Sequence, residues 1–311
     1  MSHPFKRIIG EYGGETPGPL LFIIAGIHGN EAASVYACEK VFAELEQLQP
    51  PCVGKIVAVS GNLQALNKHQ RYIERDLNRM WSESEVARVH NIPDESILAP
   101  EEIELKALLS LIETEEANMN GGPFILVDLH STSAPGGLFS IVTNDPYNRA
   151  LAEALHAPVI FDLMTSLAST TLKYAEAKGF QGIAFEAGQH DDPETTNNHY
   201  AAIWLLFAAA GMIARENLPM WEASDRQLRD TSLELPRYVR VTHRHPVVPE
   251  DRYQMVPGFI NFQTVGRQEL LAHDRRGKIR SPFPGLMLMP LYQPQGEDGY
   301  FLIEEIAHPP V

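Results

Sequence analysis

The stretch Pro19-Leu-Leu-Phe-Ile-Ile-Ala-Gly-Ile-His-Gly-Asn-Glu31 decides how this chain is read. Its first half, Leu20 to Ala25, is short, wholly apolar and rich in Ile and Phe, which predicts a strand buried on both faces. Gly26 and Gly29 then turn the chain and deliver His28 and Glu31 to the strand's carboxyl end. An imidazole and a carboxylate three residues apart can hold one divalent ion from a turn or a first helical turn. The carboxyl ends of strands are where α/β proteins build active sites. The spacing alone proves little, because 12 His and 40 acidic residues in 311 positions yield roughly 1.5 such pairs by chance. A third ligand, a base and a substrate anchor in matching contexts are needed.

Working outward, three more apolar, β-branched or aromatic runs resemble the first: Lys55 to Ser60, Phe124 to Asp128 and Gly182 to Glu186. Helical periodicity fills the intervals over Ala32 to Leu48 and Glu101 to Asn118, with shorter helices at Asn148 to His156 and Thr171 to Lys178. Glu101, Glu102 and Glu104 open the second long helix, where negative charge suits the dipole. Thr195 or Thr196 is expected to cap a buried helix running through Ala201 to Gly211. This alternation predicts an α/β fold with a mixed, mostly parallel sheet flanked by helices. After about Glu222 the chain turns rich in Pro and Gly. Strand-like runs there (Tyr238 to His243, Gly285 to Leu291, Tyr300 to Glu305) and no evident long helix predict a smaller β-rich domain over 226–311, following a catalytic domain over 1–225.

The formal charge of −15 argues against nucleic acid or an anionic membrane as general partner. No run approaches the roughly 18 apolar residues of a membrane span. The segment Met1 to Gly10 lacks the apolar core of a signal peptide, and two cysteines, Cys38 and Cys52, are too few for a disulfide framework. A cytoplasmic protein is expected.

The third ligand comes from Phe124-Ile-Leu-Val-Asp-Leu-His-Ser-Thr132, a second buried run ending in a histidine, His130. His28, Glu31 and His130 would supply two nitrogens and a carboxylate, the donor set of many catalytic zinc sites, with Asp128 placed to orient a histidine. Taken singly, His130 equally fits a core or loop-capping histidine. Asn62 and the run Arg71-Tyr-Ile-Glu-Arg-Asp-Leu-Asn-Arg79 put three arginines into an acidic protein. Guanidinium groups suit carboxylates and developing oxyanions, although ion pairing with Glu74 and Asp76 is the plainer reading. In Ile183-Ala-Phe-Glu-Ala-Gly188 a strand-like run ends in Glu186, either a general base or the partner of an arginine.

Together, Gly26-Ile-His-Gly-Asn-Glu31, Arg71 to Arg79, Asp128-Leu-His-Ser-Thr132 and Phe185-Glu-Ala-Gly188 resemble the succinylglutamate desuccinylase/aspartoacylase family, a branch of the carboxypeptidase-A-like zinc hydrolases. The resemblance implies zinc-dependent hydrolysis of the amide in a small, anionic N-acyl amino acid. One Zn²⁺ per chain would be held by His28, Glu31 and His130, with Glu186 as base, Arg71 polarising the scissile carbonyl, and Asn78 and Arg79 gripping a substrate carboxylate. Aspartoacylases also carry an arginine about ten residues before the catalytic glutamate, which binds the substrate's side-chain carboxylate. Glu176 stands there in this chain and would repel that group, unless Lys173 or Lys178 compensates. His190 and His199 read first as loop and helix residues, with pocket lining the lesser alternative, and Tyr292 and Tyr300 from the tail are weaker pocket candidates still. A metallocarboxypeptidase-type exopeptidase is the alternative within the same chemistry, and a non-catalytic zinc-binding sensor the alternative outside it. Oligomeric state and any gating by the tail are not readable from the sequence.

Overall fold

The computed structural model describes residues 5–93, 96, 99–167 and 169–309. Met1 to Pro4 of the amino-terminal stretch read above, and the last two residues, lie outside them. The predicted strands and helices form with small changes of boundary, joined by others that the sequence reading did not include: β1 (Ile8–Gly13), β2 (Leu20–Ala25), α1 (Ala33–Leu48), β3 (Lys55–Ser60), α2 (Leu63–Lys68), α3 (Glu83–Asn91), α4 (Pro100–Ala117) and β4 (Phe124–Thr132). There follow β5 (Phe139–Val142), α5 (Pro146–Glu153), β6 (Val159–Phe161), α6 (Leu163–Ser166), α7 (Thr171–Lys178), β7 (Gln181–Gln189) and α8 (Pro193–Ala209). Those not included in the sequence reading are β1, α2, α3, β5, β6 and α6. Helix α8 starts earlier than expected, because Asp192 rather than a threonine caps it: the Asp192 carboxylate accepts the Glu194 N–H at 2.9 Å, with Pro193 opening the helix.

One sheet of eleven strands runs in the order β1-β3-β2-β4-β7-β5-β6-β8-β14-β13-β10, its last four members being β8 (Tyr238–Pro246), β14 (Asp298–Glu305), β13 (Gly285–Leu288) and β10 (Thr264–Val265). Strands β3, β2, β4 and β7 are parallel, whereas β5 runs against β7. The period-two alternation of buried strands splits the core. Leu21, Ile23, Ile125 and Val127 pack on one face with α1 and α8, while Leu20, Phe22, Phe124 and Leu126 pack on the other with α4.

The predicted boundary near 225 falls inside a helix that the sequence reading did not anticipate, α9 (Trp221–Thr231). Beyond it, β8 pairs in parallel with β6, so the large sheet continues into the tail. A separate three-stranded antiparallel sheet also forms in the tail from β12 (Gly277–Arg280), β11 (Leu270–Asp274) and β9 (Gln254–Met255). No helix among the described residues is long and apolar enough to cross a membrane.

Candidate active site

Three segments meet where β2, β4 and β7 end. After β2, Gly26 adopts φ +67° and the chain turns back on itself, the Glu31 N–H donating to the His28 carbonyl at 3.1 Å. His28 and Glu31 therefore lie on a turn before α1, not on a helix. Gly29 is required for close approach: a Cβ there would sit 2.0 Å from the Ala65 backbone of α2. On β4, Asp128 and His130 occupy alternate positions of one face. The parallel register pairs His130 with Glu186 and Asp128 with Ala184, so ligand candidate and base candidate stand side by side.

The donor atoms of His28, Glu31 and His130 lie within 4.8 Å of one another, all buried. Both Nδ1 atoms face the Glu31 carboxylate, His28 at 2.8 Å from Oε1 and His130 at 3.0 Å from Oε2, and the Ser131 N–H donates to Oε2 at 3.1 Å. Both Nε2 atoms face aspartates: His28 meets Asp76 at 3.0 Å and His130 meets Asp128 at 2.9 Å. A proton on each Nε2 is thus held by a carboxylate and each Nδ1 lone pair is left to a ligand, an arrangement that fixes the tautomer and raises basicity. Two imidazoles, which a metal would bind in their neutral form, and one carboxylate converge on one point, a donor set that fits a divalent ion of the zinc type.

Charge reinforces this order. Burial alone would raise the Glu31 carboxyl, but His28 and His130 outweigh it and hold Glu31 well below the ordinary carboxylate range. Burial works likewise against the charged forms of Asp76 and His130, and is overcome by Arg71 and His28 at the first and by Asp128 and Glu31 at the second. Glu186 behaves oppositely. Burial and the neighbouring Glu31 charge, only partly offset by His130, His28 and Arg71, push its carboxyl up to about 7. Its Oε2 is buried with no hydrogen-bond partner among the described residues. A carboxylate kept free and poised near neutrality has the properties of a general base.

The arginine-rich run is a loop closed by a single 3₁₀ turn, Leu77–Arg79. Arg71 donates from Nε and Nη2 to Asp76 Oδ2 at 3.1 and 2.9 Å, and its Nη1 lies 3.6 Å from Glu31 Oε1. Asp76 therefore serves both His28 and Arg71. Asn78 is buried, with Oδ1 accepting the Thr171 N–H at 3.0 Å and Nδ2 lying 3.3 Å from His130 Nε2. Arg79 donates to Asp298 at 3.0 Å, and Arg244 donates to the other oxygen of Asp298 at 2.5 Å.

The residue holding this loop is Glu101, which the sequence suggested only as dipole compensation. It is fully buried and accepts the N–H groups of Ile73 (2.7 Å), Glu74 and Arg75 (both 3.2 Å), together with Asn62 Nδ2 at 3.3 Å. Asn62 in turn caps α2. A carboxylate flanked by other acids near a helix start looks like surface charge in sequence; only its burial reveals the task.

Other expectations are corrected. Glu176 is half exposed, pairs with Lys173 at 2.8 Å and lies outside the cavity wall, while Lys178 pairs with Glu116; the expected repulsion does not arise. His190 accepts or donates between Ser131 Oγ (2.8 Å) and Gln293 (3.2 Å), beside the cavity rather than on its wall. His199 is buried edge-on to Phe185. The Tyr292 hydroxyl is engaged with the backbone of Val256 and Phe259, and Tyr300 is packed within the tail. The tail nevertheless supplies cavity wall, through Met289, Leu291, Gln293 and Asp298.

A family model for the succinylglutamate desuccinylase/aspartoacylase catalytic domain matches residues 17–203, which is more than half of the chain. The probable aspartoacylase of Acaryochloris marina is 34% identical over 142 residues, covering 44% of this chain and 44% of that protein. The succinylglutamate desuccinylase of Photorhabdus laumondii is 38% identical over 61 residues, covering 20% and 19%. The matched stretches thus span less than half of these relatives. Among solved structures, a succinylglutamate desuccinylase/aspartoacylase from Rhodobacter sphaeroides has TM-score 0.65 at 15% identity, covering 94% of this chain and 87% of that one. Murine aminoacylase 3 has TM-score 0.61 at 15% identity, covering 94% and 96%, a likeness of fold. By the extent of the matched catalytic domain, the chain belongs to the succinylglutamate desuccinylase/aspartoacylase family.

Proposed function

We propose that the protein is a zinc-dependent amidohydrolase that removes the acyl group from a small N-acyl amino acid. The observation that carries this reading is the unpartnered Glu186 carboxylate, pushed up to about 7, beside the three converging donors of His28, Glu31 and His130. Those three residues would hold the zinc, which when bound supplies Lewis acidity toward water and the scissile carbonyl. Glu186 takes a proton from the attacking water through Oε2 and returns it to the leaving amine nitrogen. Arg71, kept charged and aligned by Asp76, donates to the carbonyl oxygen as negative charge develops there, a type of contact worth about 3–4 kcal/mol of barrier. Arg79 and Asn78, on the same wall, bind the amino acid's carboxylate. The cavity, about 840 Å³ counted with its open mouth, is of metabolite size. Two free cysteines suit a cytoplasmic setting.

The test is release of free amine from a panel of N-acyl amino acids, run beside di- and tripeptides. Turnover of the acylated amino acids, abolished by chelation and restored by Zn²⁺, is expected. Cleavage confined to peptides would replace this reading with an exopeptidase. Stoichiometric zinc without turnover of any amide would replace it with a non-catalytic sensor.

A further inference from the structure

The cavity has two chemically distinct ends. One is the polar cluster just described. From it the floor continues along the sheet: Ala184 lies two positions before Glu186 on the same face of β7, and the antiparallel register sets Ile141 of β5 directly beside Ala184. Met164, Leu167, Leu172 and Phe301 line the cavity here too, all buried or nearly so, with Thr170 and Thr171 the polar residues on the same α6–α7 segment. The cations and histidines lining the whole cavity, among the described residues, are His28, Arg71, Arg79 and His130, each already assigned to the polar end.

Which part of a substrate enters the apolar end follows from connectivity. Leu163 to Lys178, the α6–α7 segment, is fastened to the Asn78–Arg79 turn: Thr171 N–H donates to Asn78 Oδ1 at 3.0 Å, and the Trp81 N–H donates to the Ser169 carbonyl at 3.1 Å. The apolar wall formed by Met164, Leu167 and Leu172 therefore adjoins the groups that grip the amino acid's carboxylate. Carboxylate and side chain branch from one carbon, so the side chain is the group that reaches this wall. Ser131, Ser133 and Gln293 also line the cavity and give it a polar stretch of wall, to which the acyl group is assigned.

Resting on the deacylase reading above, we propose that this arm selects substrates whose amino-acid side chain is apolar, of leucine, methionine or phenylalanine type, and rejects N-acyl aspartate and glutamate. A second carboxylate placed there would be stripped of water without a cation to meet it, whereas an apolar side chain gains burial. Apolar pockets discriminate by about 10–200-fold for a single methylene, and an unpaired carboxylate is penalised further. A kcat/KM for N-acetylleucine about 100-fold above that for N-acetylaspartate is expected.

The zinc-loaded protein is assayed for amine release from N-acetylleucine, N-acetylphenylalanine, N-acetylaspartate and N-acetylglutamate. Equal or preferred turnover of the acidic pair overturns the proposal and leaves the deacylase reading intact; no turnover of any of the four overturns both. Met164→Arg places a guanidinium in the arm and is expected to move the leucine-to-aspartate ratio at least tenfold toward aspartate. Should that variant not fold by circular dichroism, Leu167→Ala is read instead, with an expected rise of about tenfold in KM for N-acetylleucine and little change in KM for N-acetylaspartate. An unmoved ratio in the folded variant overturns the assignment of the arm.

Discussion

His199 predicts a specific acid lability. The ring is fully buried on α8, 5.9 Å between centroids from Phe185, and neither nitrogen has a hydrogen-bond partner among the described residues. Burial pushes its pKa down to about 3, since the pull of the Glu31 charge does not offset desolvation of an imidazolium. In the unfolded chain the same ring titrates near 6.5. The folded value lies below the unfolded one, so the unfolded state binds the extra proton first. The stability associated with the neutral ring is fully present above pH 6.5 and is lost as pH falls toward 3. Each pH unit in that window costs about 1.36 kcal/mol, hence about 2 kcal/mol at pH 5 and about 4–5 kcal/mol by pH 3. Leucine has similar volume and cannot titrate, and it also removes two unsatisfied polar atoms. Urea unfolding, followed by tryptophan fluorescence from pH 7.5 to 5, should show His199→Leu gaining about 2 kcal/mol on the wild type as the pH drops. Parallel stability curves for the two proteins would refute the argument.

Three further outcomes follow from the site. Glu186→Gln is expected to retain zinc while losing about 10²–10⁴-fold in kcat; a variant as fast as wild type removes Glu186 from the mechanism. Asp76→Asn withdraws the carboxylate that holds both His28 and Arg71, so competition against a colorimetric chelator should report zinc bound about 10–100-fold more weakly; unchanged affinity would deny Asp76 that role. Glu101→Gln leaves three backbone N–H groups competing for one oxygen, and a loss of about 3 kcal/mol in urea unfolding, with a fall in kcat/KM through the loosened Arg71 loop, is expected; an unchanged midpoint refutes it.

The tail illustrates how sequence and structure divide the information. Its strand-like runs were legible, yet their destination was not: β8 joins the large sheet beside β6, and β14 brings Asp298 against Arg79. Pairing between strands separated by scores of residues leaves no local signature. The Arg71–Asp76 pair and the place of Glu101 in the first helical turn were legible, but the burial of both acids and their hold on His28 and on the loop were not, because acids near arginines have the same composition whether they are solvated or fully buried.

Local physics sufficed for much else. An apolar run must be a buried strand, a glycine-bracketed turn after it presents whatever side chains it carries, and a period of two divides the core between faces, so β2, β4, β7 and their terminal His28, Glu31, His130 and Glu186 could be read in the chain itself. What tertiary structure alone decided was register and burial: that His130 lies beside Glu186, that each Nε2 meets an aspartate, that Glu176 faces away, and that the cavity runs on into an apolar arm. Those properties depend on which remote segments exclude water from one another, and that is a property of the packed molecule rather than of any stretch within it.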